Sequence, residues 1–122
     1  MTRAAAKPRP VPAVIEKAAR AADDLKARDM VVLDLRGIND ATDFFVIASG
    51  TSDAHVRGIA DSVMEAMQKA GHRPHHVEGL TAGRWVLLDF VDFVVHLFHP
   101  EARAFYQLER LWSDAPVVTP RV

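Results

Sequence analysis

A short turn of small residues, Ser49-Gly50-Thr51-Ser52, lies directly ahead of a predicted helix. Such a turn can cradle an anion, because its backbone amides point outward and the helix dipole favours negative charge. The same residue types also form ordinary turns and supply N-cap oxygens. Since short turn motifs match by chance, we favour a turn with a helix cap over an anion site.

Carboxylates near such a turn would be the second requirement for phosphate chemistry. Polymerase-like nucleotidyltransferases place a Gly-Ser turn here and two metal-binding carboxylates on the strand that follows. In this sequence the following strand offers only Glu78, while Asp89 and Asp92 come later and flank a turn. They would not converge on one metal as an alternating pair does. A nucleotide-binding or nucleotidyltransferase-like enzyme therefore remains the alternative, and no catalytic residue is predicted.

Histidines are common zinc ligands, and most of those in this chain lie in its second half. They include two pairs at i, i+3 spacing within the set His72, His75, His76, His96 and His99. Neighbouring His75 and His76 point to opposite faces of a strand, no HExxH pattern exists, and cysteine is absent. We predict no metal site and no cofactor, and expect a hydrogen-bonded, partly buried His96. No Gly-x-Ser-x-Gly motif exists, so no serine nucleophile is predicted.

Acidic and aromatic residues surround a predicted late hairpin. Glu78, Asp89 and Asp92 lie near Trp85 in the sequence, and Tyr106 follows in the last predicted helix. Aromatic side chains ringed by carboxylates suit a protein-docking face that meets Arg or Lys on a partner. Trp85 is equally consistent with a core position, because indole is often only partly buried.

Hydrophobic periodicity predicts the elements that position these residues. Helical spacing predicts helices over 13–28, from the Ser52 cap to Gly71, and over 100–112. Apolar and β-branched runs predict strands over 31–35, 43–48, 74–78, 85–90 and 93–98. The strand over 43–48 is apolar on both faces and so central, whereas Pro74 limits its strand to an edge or a strand start. The order αββαβββα indicates an α/β (α+β) fold, with a mixed five-stranded sheet and packed helices.

Length and composition limit the classes of protein to which this chain can belong. The chain has 122 residues, of which 49% are hydrophobic, and this fits one compact domain. No apolar run approaches the roughly 20 residues of a membrane-spanning helix, and no secretory signal is visible. A cytoplasmic protein without disulfides is the simplest interpretation.

Charge is distributed unevenly along the chain. Residues 1–20 carry five cations and one anion, whereas residues 21–122 carry ten cations against fifteen anions, a net charge of −5. A domain with a net negative charge is not expected to bind the phosphates of nucleic acids directly. It suits a basic protein partner better. The proline pattern predicts a flexible basic tail over 1–12, a domain over 13–115 and a flexible tail over 116–122.

Several ordered blocks resemble the ribosomal silencing factor family, also called Iojap-like. They are DMVVLDLRG at 29–37, TDFFVIASGTS at 42–52, VEG at 77–79, WVLLD at 85–89, DFVVH at 92–96 and RAFYQLERLW at 103–112. The match runs from about residue 14 to residue 115, nearly the whole predicted domain.

The resemblance implies a non-enzymatic translation regulator. Such proteins bind ribosomal protein fourteen of the large subunit, block joining of the small subunit and lower translation when nutrients are short. It further implies a nucleotidyltransferase-like core without catalytic residues, and a homodimer. Direct RNA contact would be at most secondary, through the basic tail. By motif match, the implied docking residues are Glu78, Trp85, Asp89, Asp92, His96 and Tyr106.

One position departs from the family pattern. The family usually places Gly before the Asp of the hairpin turn, where this chain has Val91. A type I′ turn needs positive φ at both central residues, which strains a β-branched side chain by roughly 1–2 kcal/mol. We therefore predict a different turn geometry or a bulge at Val91-Asp92. The direction of the Asp92 side chain, and with it the role of this residue, stays undecided.

Overall fold

The computed structural model describes residues 11–106, 113 and 115–118. These residues form three helices and six strands in the order αββαβββαβ. The helices are α1 (Ala13–Asp24), α2 (Asp53–Lys69) and α3 (Pro100–Tyr106). The strands are β1 (Arg28–Asp34), β2 (Phe44–Ser49), β3 (His76–Glu78), β4 (Trp85–Asp89), β5 (Phe93–Phe98) and β6 (Val117–Val118). No helix in these ranges has the length and apolarity needed to cross a membrane.

The strands form one mixed sheet in the order β3-β4-β5-β2-β1-β6. β2 and β5 are parallel, with Phe44 opposite Phe93, and every other neighbouring pair is antiparallel. The predicted mixed sheet, the central place of β2 and the edge place of β3 are confirmed. Because β2 and β5 lie between other strands, nearly all of their side chains are buried.

The predicted number of five strands is wrong, because β6 adds a sixth. Val117 and Val118 pair with Leu33 and Val32 of β1, and the Asp34 N–H donates to the Pro116 carbonyl at 2.9 Å. These two valines fall in the segment predicted as a flexible tail. Two residues are too few to show alternation, so only their pairing with a distant strand identifies them as a strand.

Helices α1 and α2 cover one face of the sheet. The alanine-rich side of α1 packs against α2 and the sheet, with Ile15, Ala18 and Ala22 buried. The predicted start of α2 is confirmed, because the Ser52 side chain accepts a hydrogen bond from the His55 N–H at 3.1 Å. Its end is confirmed as well, since Gly71 adopts φ +89° just beyond the helix.

A smaller cluster lies on the opposite face, where α3 packs. Leu33, Ile47 and Phe98 of the sheet are buried there with Ala102 of α3. The predicted last helix is present from Pro100 to Tyr106, and its remaining predicted residues, 107–112, lie outside the described part of the chain. This cluster covers the β1 side of that face, which leaves its β3 side less covered.

Candidate protein-docking face

The less covered part of the sheet presents alternate residues of β3, β4 and β5 to one side. Side chains of directly paired residues point to the same face of a sheet. Glu78 is paired with Leu87, Leu87 with His96, and Asp89 with Val94. Phe45 of β2 is paired with Val94 in the same row. We call the following residues the outer sheet face: Phe45, Glu78, Trp85, Leu87, Asp89, Val94 and His96.

Four of the six residues implied as docking residues therefore share one surface. Glu78, Trp85, Asp89 and His96 lie on the outer sheet face. Asp92 lies in the turn at its end, next to the first residue of β5. Tyr106 ends α3, and its side chain lies outside what the structure describes.

Trp85 is half-buried on this face and is held by its neighbours. Its indole Nε1–H donates to His96 Nδ1 at 3.1 Å, and its ring stacks on Phe98 with centroids 5.1 Å apart. Gly79, at φ +77°, lies against the Trp85 carbonyl, where a Cβ atom would overlap it. The turn between β3 and β4 thus fixes the Trp85 backbone, while part of the indole stays accessible.

His96 is the buried partner of Trp85, with 4% of its surface exposed. Burial lowers its pKa to about 4, against the opposing charge of Asp89, so the ring is neutral at pH 7. Because the Trp85 indole can only donate, His96 Nδ1 accepts and the proton resides on Nε2, which is buried without a partner. The expected hydrogen bond of His96 is confirmed, and the ring is buried more completely than the partial burial that was expected. The described residues contain no cluster of three His, Cys, Asp or Glu side chains that could hold a metal ion.

Carboxylates border the outer sheet face along β3 and at the hairpin. The exposed Glu78 carboxylate lies 2.9 Å from His76 Nε2. Asp89 Oδ1 accepts the Val91 N–H at 2.8 Å, and the Asp92 carbonyl accepts the Asp43 N–H at 2.9 Å. An aromatic centre with an acidic border is an arrangement that binds a protein surface rich in Arg and Lys.

The hairpin turn departs from type I′, as predicted. Val91 has φ +75°, whereas Asp92 is absent from the described non-glycine residues with positive φ. The Asp92 N–H donates to the Phe90 carbonyl at 3.0 Å, a three-residue hydrogen bond of the γ-turn kind. The register from Trp85 to Asp89 runs without a shift, so the alternative of a bulge is wrong. Val91 itself still adopts the left-handed backbone conformation, so its strain is present in this turn as well.

The Ser49–Ser52 turn uses its amides internally. The Gly50 N–H donates to the Phe98 carbonyl, and the Thr51 N–H donates to His55 Nδ1 at 2.8 Å. His55 Nε2 in turn lies 2.6 Å from the Leu25 carbonyl, beyond the end of α1. The favoured interpretation as a turn and helix cap is confirmed, because the histidine ring occupies the amide that an anion would need.

Sequence reasoning missed four residues of these two regions, namely His55, Phe45, Leu87 and Val94. His55 was outside the histidine set considered, although its position four residues after Thr51 is one helical turn along. Leu87 and Phe45 resemble ordinary core residues. The alternation Trp85–Leu87–Asp89 was the signal that places Leu87 beside Trp85.

The chain is similar in sequence to known proteins over most of its length. A family model described as ribosomal silencing factor during starvation matches residues 8–122. The ribosomal silencing factor RsfS of Halalkalibacterium halodurans is 43% identical over 105 residues, which cover 86% of this chain and 90% of that protein. The mouse mitochondrial assembly of ribosomal large subunit protein 1 is 37% identical over 90 residues, covering 71% of this chain and 40% of that protein.

A solved structure shares the fold. A crystal structure of a protein from Bacillus halodurans superimposes with a TM-score of 0.79 at 40% sequence identity. The superposition covers 88% of this chain and 97% of that one. The mixed sheet with three helices is therefore the architecture of this relative as well.

Proposed function

Because the chain belongs to the ribosomal silencing factor family, we propose that it binds ribosomal protein fourteen of the large subunit and sterically blocks joining of the small subunit. Translation then falls when nutrients are short. The name of the mouse relative, which refers to assembly of the ribosomal large subunit, supports a partner on that subunit. The protein acts in the cytoplasm and forms a homodimer.

The observation that carries this proposal is the partly exposed indole of Trp85 within an acidic border. Buried aromatic anchors surrounded by polar residues dominate the binding energy of many protein interfaces. Here His96 and Phe98 hold the indole in one orientation, so little freedom is lost on binding. Glu78, Asp89 and Asp92 then pair with cations of the ribosomal protein, and Tyr106 is a further contact that the family resemblance implies.

A steric mechanism requires a rigid obstacle and no catalytic group. The Gly50 and Thr51 amides of the Ser49–Ser52 turn already donate to the Phe98 carbonyl and to His55, which supports a protein that is not an enzyme. No cofactor is needed for such a role. The basic tail over 1–12 contacts RNA at most as a secondary contribution.

The direct test is sedimentation of the purified protein with isolated large subunits, followed by a small-subunit joining assay. We expect co-sedimentation, inhibition of joining, and binding that is weaker by about tenfold or more for Trp85→Ala. Leu25→Ala is the matched control, since Leu25 is an exposed apolar residue at the end of α1, on the other side of the sheet.

Two results would contradict separate parts of the proposal. Co-sedimentation without any block of joining refutes the silencing mechanism. Equal affinities for the wild type, Trp85→Ala and Leu25→Ala refute the outer sheet face as the docking surface, while leaving binding to the large subunit intact.

A further inference from the structure

The tip of the β4–β5 hairpin holds an apolar side chain in an unfavourable backbone conformation. Val91 has φ +75°, a region that β-branched residues rarely adopt. The side chain is nevertheless 53% exposed, so burial in the core does not compensate for the strain. Strained residues that the fold holds in place cluster at functional contacts.

The surrounding hydrogen bonds enforce this conformation. Asp89 Oδ1 accepts the Val91 N–H at 2.8 Å, and the Phe90 carbonyl accepts the Asp92 N–H. The Asp43 N–H donates to the Asp92 carbonyl and fastens the turn to the end of the β1–β2 connection. The isopropyl group of Val91 is therefore presented outward at a fixed position.

Charge indicates what kind of surface this tip fits. The Asp89 carboxylate accepts the Val91 N–H, the exposed Asp92 follows Val91 in the turn, and the Asp43 N–H donates to the Asp92 backbone carbonyl. Asp89 also belongs to the outer sheet face, so the tip continues that surface. An apolar group between carboxylates is complementary to an apolar pocket bordered by Arg or Lys.

We propose that Val91 is a contact residue that inserts into an apolar pocket on the basic large-subunit protein that the outer sheet face binds. This inference rests on the proposed function and extends its docking surface to the hairpin tip. The residue then determines affinity through its side chain, at the expense of fold stability.

The test compares Val91→Gly and Val91→Ile in thermal unfolding and in a binding titration with isolated large subunits. Glycine relieves the positive φ, so we expect Val91→Gly to raise Tm by about 2–5 °C. The same variant loses the contact, so its Kd rises about tenfold. Val91→Ile keeps the apolar group and its strain, and binds within about twofold of the wild type. Leu25→Ala, which also shortens an exposed apolar side chain, leaves Kd unchanged.

Three outcomes overturn the inference in distinguishable ways. If the wild type binds and Val91→Gly binds equally well, the tip makes no contact, and the proposed function stands. If Val91→Gly changes only the self-association of the free protein in analytical ultracentrifugation, the tip contacts a second copy instead. If the wild type itself does not bind large subunits, the proposed function fails and the assigned partner of the tip fails with it.

Discussion

The Trp85–His96 hydrogen bond depends on a histidine that stays neutral. A protonated ring would carry a proton on Nδ1, and that nitrogen could no longer accept from the indole. Burial keeps the proton off, since a charged imidazole among Phe45, Phe98 and Trp85 would lose its hydration. The neutral His96 side chain therefore both orients the Trp85 indole and contributes to the stability of the sheet.

This linkage predicts a pH dependence of stability. The folded-state pKa of His96 is about 4, below its ordinary value of 6.5, so the unfolded chain binds the proton more readily. The stabilisation is complete above about pH 6.5 and is lost as the pH falls toward about 4. Between about pH 8 and about pH 5 we expect the unfolding free energy to fall by about 2 kcal/mol from this group, measured by urea denaturation.

His96→Gln tests the assignment because glutamine does not titrate and can still accept from the indole. Its unfolding free energy is expected to depend less on pH over the same range. His72→Gln is the matched control, since His72 is exposed, and it should keep the wild-type slope. A wild-type slope in His96→Gln would show that another group causes the pH dependence.

At the scale of elements, two glycines have nearly the same backbone conformation but different surroundings. Alanine substitutions at the two positions therefore distinguish the cost of backbone strain from the cost of steric overlap. Gly37 has φ +80° with open space around it, whereas Gly79 has φ +77° and lies against the Trp85 carbonyl. We expect Gly37→Ala to lower the unfolding free energy by about 1 kcal/mol, from the left-handed conformation alone. Gly79→Ala adds an overlap with backbone and should cost about 3–5 kcal/mol.

Urea denaturation of both variants in a Trp112→Phe background measures this difference, and the fluorescence of the remaining Trp85 reports on the indole environment. Equal losses for the two variants would mean that the β3–β4 turn relaxes without displacing Trp85. A larger loss with altered fluorescence in Gly79→Ala alone supports the role of this turn in fixing the start of β4.

Elements with strong local signals were predictable from sequence. Helix α2 has a cap at Ser52, an apolar stripe and a glycine stop, and the two-residue spacing between the predicted strands 85–90 and 93–98 required a hairpin. Irregular features were not predictable. The register of β1 against β2 shifts between Arg28 and Val31, next to Asp29 at φ +51°, and β6 exists only through its pairing with β1.

The candidate site was predictable only in part, because its residue types are a local signal whereas its exposure depends on distant contacts. Acidic and aromatic residue types already indicated Glu78, Trp85 and Asp89, and the family resemblance added His96. Strand alternation is compatible with their common face. Which face remains accessible depends on where α1, α2 and α3 pack, and that is decided by distant contacts. Phe45 and Leu87 were missed because an aromatic or aliphatic strand residue is usually core.

For the whole molecule, the separation of charge predicts salt-dependent binding. Residues 21–122 carry a net charge of −5, and attraction to a basic partner weakens as ions screen it. We expect Kd for large subunits to rise several-fold between about 50 and about 300 mM salt. A Kd independent of salt would contradict an electrostatic contribution.

A matched pair of variants locates this contribution. Glu78→Gln removes one exposed charge from the outer sheet face, whereas Glu65→Gln removes one from α2. We expect a smaller salt slope for Glu78→Gln and the wild-type slope for Glu65→Gln. The opposite order would place the acidic contact surface on the helical side of the sheet.

The parallel pairing of β2 with β5 constrains how the protein is made. Phe44 can meet Phe93 only after translation has passed β5, so the centre of the sheet stays open until then. Sheets built from such distant pairings fold slowly, and unpaired apolar strands attract chaperones or aggregate. The nascent chain therefore completes the centre of its sheet, and with it the outer sheet face, only once β5 has emerged from the ribosome that makes it.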